Sequence, residues 1–241
     1  MPRFYVPSGI CDSVAFSLPD ATARHVQVLR CQPGELIELF DGLGTVYQAE
    51  ITAMGKKNVD VLIRGSESVT LESPLAITLL QSVSSSERMD MTIQKAVELG
   101  VTLIQPVLTE RSSQRLSGER ALKKLERWQD IAIGACEQCG RTIVPEIRPV
   151  VDLANALAGL ATDDLKLLMS LCRPQTLNEF GQPQAVTLLI GPEGGLSNTE
   201  EELAIRHGFA AISLGPRVLR TETASLAAIA AMQVLWGDFR K

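Results

Sequence analysis

The sequence predicts a two-part α/β protein: a β-rich segment over residues 1–72, then an α/β segment with a largely parallel sheet over residues 73–241. Three observations predict it. Short strand-like runs at close spacing fill the first part. Strands alternate with helical patterns throughout the second. Two apolar runs near the C-terminus stop abruptly at Gly-Pro, as strand ends that open into tight loops do. Hydrophobic residues at 45% and charged residues at 21% describe an ordinary globular composition. No run approaches ~20 apolar residues, so no transmembrane helix and no membrane partner is expected. The opening Met1-Pro-Arg-Phe-Tyr-Val-Pro7 lacks a signal-peptide layout, and five cysteines, an odd count with no small disulfide scaffold to serve, predict a reducing, cytoplasmic setting.

In the first part, residues 20–30 read as a short helix stopped by Pro33-Gly34. The runs 35–40 and 45–51 flank Asp41-Gly-Leu-Gly44, a four-residue hairpin connection, and Gly55-Lys-Lys-Asn58 leads into a further strand over 59–64. Several short strands at this spacing suggest a small barrel. After Glu72-Ser-Pro74 the rhythm changes. Residues 75–80 read as a buried strand, 87–99 as a helix closed by Gly100, and 101–108 as the next strand. A long helix over 118–139 carries Leu122, Leu125, Trp128, Ala132, Cys136 and Cys139 every three or four residues, one buried stripe. Residues 152–160 read as a helix, 165–171 as a strand and 173–184 as a loop.

The chemistry concentrates in the last quarter. Val186-Thr-Leu-Leu-Ile190 ends in Gly191-Pro-Glu-Gly-Gly-Leu-Ser197, and Ala211-Ile-Ser-Leu-Gly215 ends in Pro216-Arg-Val-Leu-Arg-Thr-Glu222. Two such ends separated by one helix can lie side by side on a parallel sheet, at the edge where open α/β sheets bind ligands. No Gly-Lys-Ser or Gly-Lys-Thr follows, which excludes a Walker A loop, and there is no early Gly-x-Gly-x-x-Gly. Gly191, Gly194 and Gly195 let a flat ring approach the backbone closely, while Pro192 stiffens the turn. Ser197 and Glu200 form a Ser-x-x-Glu capping box that opens a helix ended by Gly208. The helix over 222–236 is almost wholly apolar or small, which predicts burial on nearly every side, against the sheet and against another subunit. Arg217, Arg220 and Glu222 at its mouth read either as a structural Arg–Glu pair or as an anion-recognition and acid–base cluster.

The net charge is −5, yet six basic residues (Arg111, Arg115, Arg120, Lys123, Lys124 and Arg127) meet only Glu119 and Glu126 between positions 111 and 127. Such a stretch is either a solvated helix face or a polyanion-binding patch, since phosphate contacts are local. Cys136-Glu-Gln-Cys139 has the spacing of a metal or redox pair. The only histidines, His25 and His207, supply no matching ligands, and both cysteines fall on an apolar stripe, so core packing is the reading and no metal is expected. Arg24 beside His25 reads as surface, or as a contact to RNA.

Together these residues resemble a known family. Gly191-Pro-Glu-Gly-Gly-Leu-Ser197 and Leu214-Gly-Pro-Arg-Val-Leu-Arg-Thr-Glu-Thr-Ala224 are similar to the two signature loops of the RsmE-type ribosomal RNA methyltransferases of the SPOUT superfamily. The resemblance extends to Thr92–Gly100, Glu110-Arg111-Ser112, Ala135–Arg141 and Pro145-Glu-Ile147, and at the N-terminus to Pro2-Arg-Phe-Tyr5 and Val28-Leu-Arg30. It implies a PUA-like, RNA-binding β-barrel over 1–72 and a SPOUT domain over 73–241 with a deep trefoil knot, which no sequence pattern would suggest. It further implies a cytoplasmic homodimer that uses S-adenosylmethionine to methylate N3 of uridine 1498 in 16S rRNA of the 30S subunit.

Carried onto this chain, the resemblance places the cofactor against Leu171, Gly191, Pro192, Glu193, Gly194, Gly195, Leu214, Gly215 and Leu219. RNA contacts fall to Arg3, Arg24, Arg30, Arg111, Arg115, Lys123, Lys124 and Arg217. Residues 1–72 carry six basic against nine acidic side chains, so contact there rests on few residues. Uridine N3 is protonated at neutral pH and a poor nucleophile. The implied chemistry has Arg220 stabilise the anionic uracil, and Glu222 orient Arg220 or take the proton. Two other readings remain from the sequence: a SPOUT tRNA ribose methyltransferase, and a non-catalytic ribosome assembly factor, against which the intact glycine loops speak.

Overall fold

The computed structural model describes residues 1–7, 10, 15–160 and 163–239. The chain divides into two compact units, Met1–Glu72 with Ile133–Val144, and Ser73–Ala132 with Pro145–Lys241. Residues 133–144 group with the first unit, which a reading of 73–241 as one continuous segment does not indicate.

In the first unit β1 (Arg3–Tyr5), β2 (Ala15–Ser17), α1 (Asp20–Val28), β3 (Leu36–Phe40), β4 (Thr45–Met54) and β5 (Val59–Ser68) follow one another. The sheet order is β1-β3-β4-β5-β2, parallel between β1 and β3 and antiparallel elsewhere. Alternation places Ile37 and Leu39 of β3 and Val59, Val61 and Ile63 of β5 in one core, which Ala23 and Val26 of α1 cover. Helix α1 stops short of the predicted Arg30 because Arg30 takes a left-handed φ of +59°, which no helix continues.

The second unit is built on a parallel sheet. Its elements are β6 (Ala76–Ser82), α2 (Ser86–Glu98), β7 (Leu103–Leu108), the first part of α3 (Gly118–Cys139), whose residues 133–139 group with the first unit, β8 (Glu146–Ile147), β9 (Val151–Asp152), α4 (Leu153–Ala158), β10 (Leu165–Met169), β11 (Ala185–Ile190), α5 (Asn198–Arg206), β12 (Ala210–Ile212) and α6 (Thr221–Leu235). The strand order is β12-β10-β11-β6-β7-β8, with β9 also on β7, and every pairing is parallel. The central strands are apolar on both faces, as strands covered by helices on both sides must be.

Three expectations need correction. The strand ends at Ile190 and Ile212 do not lie side by side, because β10 is inserted between β11 and β12. The stripe on α3 is shorter than its periodicity suggests: Trp128, Ala132 and Cys136 are buried, but Leu122 is 59% exposed. Lys124 and Arg127 are the side chains that reach α2, through Ser86 and Asp90, and Leu122 points about 200° around the helix from Lys124. The segment 173–184 holds a single 3₁₀ turn, Leu177–Glu179, whose Glu179 carboxylate accepts the Thr176 N–H at 2.7 Å.

Candidate functional site

Because β10, β11 and β12 run parallel with Leu168 opposite Leu189 and Met169 opposite Ile212, their C-terminal ends lie at one edge of the sheet. Three loops leave that edge, beginning at Ser170, Gly191 and Ser213. With the first turn of α6 they enclose a cavity of about 550 Å³. Its lining includes Leu171, Gly191, Pro192, Glu193, Gly195, Leu214, Gly215, Leu219, Arg217 and Arg220. Of the predicted cofactor residues only Gly194 lies outside that lining, and predicted catalytic Glu222 lies outside it too. Sequence reasoning missed Arg88, Ser170, Glu201 and Thr221, which also line it.

The first glycine loop is held from every side. Thr221 Oγ1 donates to Gly191 O at 2.7 Å, and Gln81 Nε2, fully buried at the end of β6, donates to Thr221 Oγ1 at 3.0 Å. Ser225 Oγ lies 2.6 Å from Gln81 Oε1, so the start of α6 and the loop are set by one buried polar chain. Arg111 Nη1 donates to Gly194 O at 2.9 Å and to Leu196 O at 3.2 Å. Its guanidinium is thus engaged by the loop itself. Ser197 accepts the Glu200 N–H at 3.2 Å while Glu200 Oε2 accepts the Ser197 N–H at 2.9 Å, the predicted capping box. A Cβ on Gly191 would stand 3.1 Å from Leu196 N, and Gly195 and Gly215 take φ of +70° and +100°.

Charge at the site is arranged in pairs. Arg88 Nη1 donates to Glu193 Oε1 at 2.7 Å and Arg88 Nε lies 3.6 Å from Glu222 Oε2. Burial works against ionisation of Glu193, but main-chain N–H groups, its own and Ser85's, together with Arg88 outweigh it and hold the carboxyl below the usual range. The pairing therefore persists above ordinary carboxylate pKa values and is lost as pH falls through the depressed one. Ser170 Oγ donates to Glu201 Oε2 at 3.2 Å. Arg217 and Arg220 stand exposed at the rim, and Arg220 is the N-cap residue of α6.

These features fit a flat, polar ligand. The volume falls within the range of roughly 300–1,000 Å³ typical of small-molecule sites. Among the described residues the main-chain groups of Leu171, Leu214 and Leu219 make no hydrogen bond within the protein, so they remain available to a ligand. Such main-chain groups beside side-chain-free glycines suit a flat ligand that approaches the backbone closely.

The basic residues divide. Arg115, Arg120, Lys123, Lys124 and Arg127, with Gln114 and Leu116, line a second cavity of about 580 Å³. Within it Arg127 pairs with Asp90 at 2.6 Å, Lys124 donates to Ser86 Oγ at 2.6 Å, and Lys123 meets Glu119 at 2.7 Å in an exposed pair. In the first unit Arg24 and Arg30 are exposed, but Arg3 turns inward, donating to Gly140 O, pairing with Glu38 and lying over the Phe40 ring. Cys136 is fully buried, and burial pushes its thiol up to about 12; Cys139 is half-buried.

Residues 71–233 match the RNA methyltransferase domain family and residues 18–64 the RNA methyltransferase PUA domain family. Ribosomal RNA small subunit methyltransferase E of Buchnera aphidicola (subspecies Acyrthosiphon pisum) is 34% identical over 242 residues, covering 100% of this chain and 96% of the relative. A crystal structure of ribosomal RNA small subunit methyltransferase E from Neisseria gonorrhoeae bound to S-adenosylmethionine is 50% identical, with a TM-score of 0.96 and 99% of each chain covered. A methyltransferase from Legionella pneumophila, in complex with the same cofactor, is 42% identical with a TM-score of 0.96 and 99% of each chain covered.

Proposed function

Since the chain belongs to the ribosomal RNA small subunit methyltransferase E family, we propose that it transfers a methyl group from S-adenosylmethionine to N3 of uridine 1498 in 16S rRNA of the 30S subunit, in the cytoplasm. The observation that carries this reading is the cavity at three parallel strand ends, walled by glycines and by the main chain of Leu171, Leu214 and Leu219, unpaired among the described residues. Those groups, with Gly191, Pro192, Glu193, Gly195 and Gly215, would bind the cofactor, and Gly194 would fix the loop through its carbonyl bond to Arg111. The cofactor, when bound, supplies a methyl group activated by a sulfonium.

The chain's residues prepare the acceptor. Arg220, exposed at the cavity mouth, stabilises negative charge on a uracil that gives up its N3 proton to solvent water. Glu222 is buried, faces Arg88 and does not line the cavity, which favours a positioning role over direct proton abstraction. Arg217 at the rim, with Arg115, Lys123 and Lys124 of the basic cavity, binds RNA phosphates, and Arg24 and Arg30 add contacts from residues 1–72.

The family likeness and three local features support the remaining architecture. After the edge strand β12 the chain returns as α6 to pack on α2 and on the inner strands β6 and β11, a return that suits a threaded SPOUT knot. Two register shifts interrupt the β4–β5 pairing, one on each strand, which favours closure of the first sheet into a PUA-like barrel. Ala230, Ala231, Val234 and Leu235 leave an apolar strip of α6 incompletely covered, and it suits a homodimer; a monomer by sedimentation equilibrium would overturn that assignment.

The deciding experiment combines calorimetry of S-adenosylmethionine binding with mass spectrometry of nucleosides from unmethylated 30S subunits treated with the protein. Binding together with 3-methyluridine at position 1498 is the expected result. A ribose-methylated product, or no cofactor binding, would refute the proposal. Arg220→Ala should bind cofactor normally and lose most of the rate, and Glu222→Gln at full rate would remove Glu222 from the mechanism.

A further inference from the structure

We propose that Arg88 is a positioning residue of the transfer site, coupling the glycine loop to the helix turn that carries Arg220. The proposal rests on the methyltransferase reading and extends it to a residue in an unremarkable Ser-Glu-Arg stretch. Arg88 stands in the first turn of α2 and lines the cavity. One guanidinium addresses two carboxylates from different elements. Glu193 comes from the loop after β11, with Oε1 2.7 Å from Nη1; Glu222 comes from the first turn of α6, with Oε2 3.6 Å from Nε.

Each carboxylate depends on that link. Glu193 Oε1 also accepts the Ser85 N–H at 3.1 Å. Ser85 is the N-cap residue of α2, and its side chain makes no capping bond, so Glu193 caps α2 from another loop and fastens the glycine loop to it. Glu222 is 8% exposed, and its Oε2 is fully buried with no hydrogen-bond partner among the described residues. A buried carboxylate needs a countercharge, and Arg88 makes the only ion pair with Glu222 among the described residues. Glu222 lies two residues after Arg220, the N-cap of α6, so the position of Arg88 is felt where the uracil charge is met. A planar guanidinium presents Nε and Nη1 in fixed directions toward the two carboxylates, whereas an ammonium is a compact point charge on a flexible stem.

The test uses full-length protein with S-adenosylmethionine and unmethylated 30S subunits, and it has an arm that needs neither. Glu193→Gln is expected to raise the cofactor KM with little change in kcat. Glu222→Gln is expected to lower kcat at unchanged cofactor KM. Arg88→Ala should do both, by about tenfold each. Arg88→Lys should recover the KM and leave kcat low. In the protein alone, Arg88→Ala should speed amide exchange at Ser85 and through residues 193–196. The coupling role is overturned if Arg88→Ala changes only one parameter, if Arg88→Lys restores both, or if exchange at those amides is unaltered. Wild-type protein that neither binds cofactor nor transfers methyl, with the exchange response intact, would instead sink the methyltransferase reading and the catalytic part of this proposal with it.

Discussion

At Gly195 the backbone holds φ at +70°, and nothing lies within 4 Å of the place a Cβ would take. Added bulk there meets no protein atom, so it is opposed by backbone strain in the free protein and by steric exclusion only where a ligand must enter. Gly195→Val is therefore expected to cost about 1–3 kcal/mol of stability and to weaken cofactor affinity by a further factor of about 100. Gly194 differs in both respects. Its φ is ordinary, and an added Cβ would meet Arg111 side-chain carbons at 3.4 Å, a normal contact. Gly194→Ala should cost less than about 1 kcal/mol and shift affinity less than about threefold. Calorimetry with urea melts reads both quantities, and equal affinities for the two variants would remove the ligand from in front of Gly195. The glycine count is visible in the sequence; which glycine faces the cavity is not, because that depends on how the whole loop is held.

At the scale of elements, α5 shows why some of the site is legible in the sequence. Ser197 and Glu200 are near neighbours whose bonds to each other's main chain depend on nothing distant, so the pattern can be read directly. Ser197→Ala should lower stability by about 1 kcal/mol. Glu200 also acts outside its own helix, because its Oε1 accepts the Glu110 N–H at 2.8 Å in a buried setting. Glu200→Ala should therefore cost more, about 2–3 kcal/mol, and equal urea midpoints for the two variants would contradict that tie. The links that sequence reasoning missed are long-range. Arg88 to Glu193 and Arg111 to Gly194 join residues 105 and 83 positions apart, and no local pattern marks either link. The insertion of β10 between β11 and β12 is hidden for the same reason, since strand order is decided by which apolar strands pair after collapse. Thr176-x-x-Glu179 is a readable cap, masked by the proline and glycine around it.

For the whole molecule, the formal charge of −5 opposes approach to RNA, while the basic cavity on the second unit favours it. Distance decides between them. Charges separated by more than about 10 Å are largely screened at physiological salt, so a phosphate docked in the cavity senses Arg115, Arg120, Lys123 and Lys124 rather than the sum over the chain. Not every cation there is equally free: Arg127 is committed to Asp90, and Lys123 is shared with Glu119 in a pair so exposed that little holds it. About four phosphate contacts are then available through Arg115, Arg120, Lys123 and Lys124, each contributing roughly 0.7–0.9 to the slope of log K against log salt. The triple variant Arg115→Glu, Lys123→Glu, Lys124→Glu should flatten that slope by about 2–3 for binding to 16S rRNA, while cofactor affinity, decided in the other cavity, stays as in the wild type. A slope unchanged by charge reversal would mean that these residues form a solvated face and that RNA is held elsewhere.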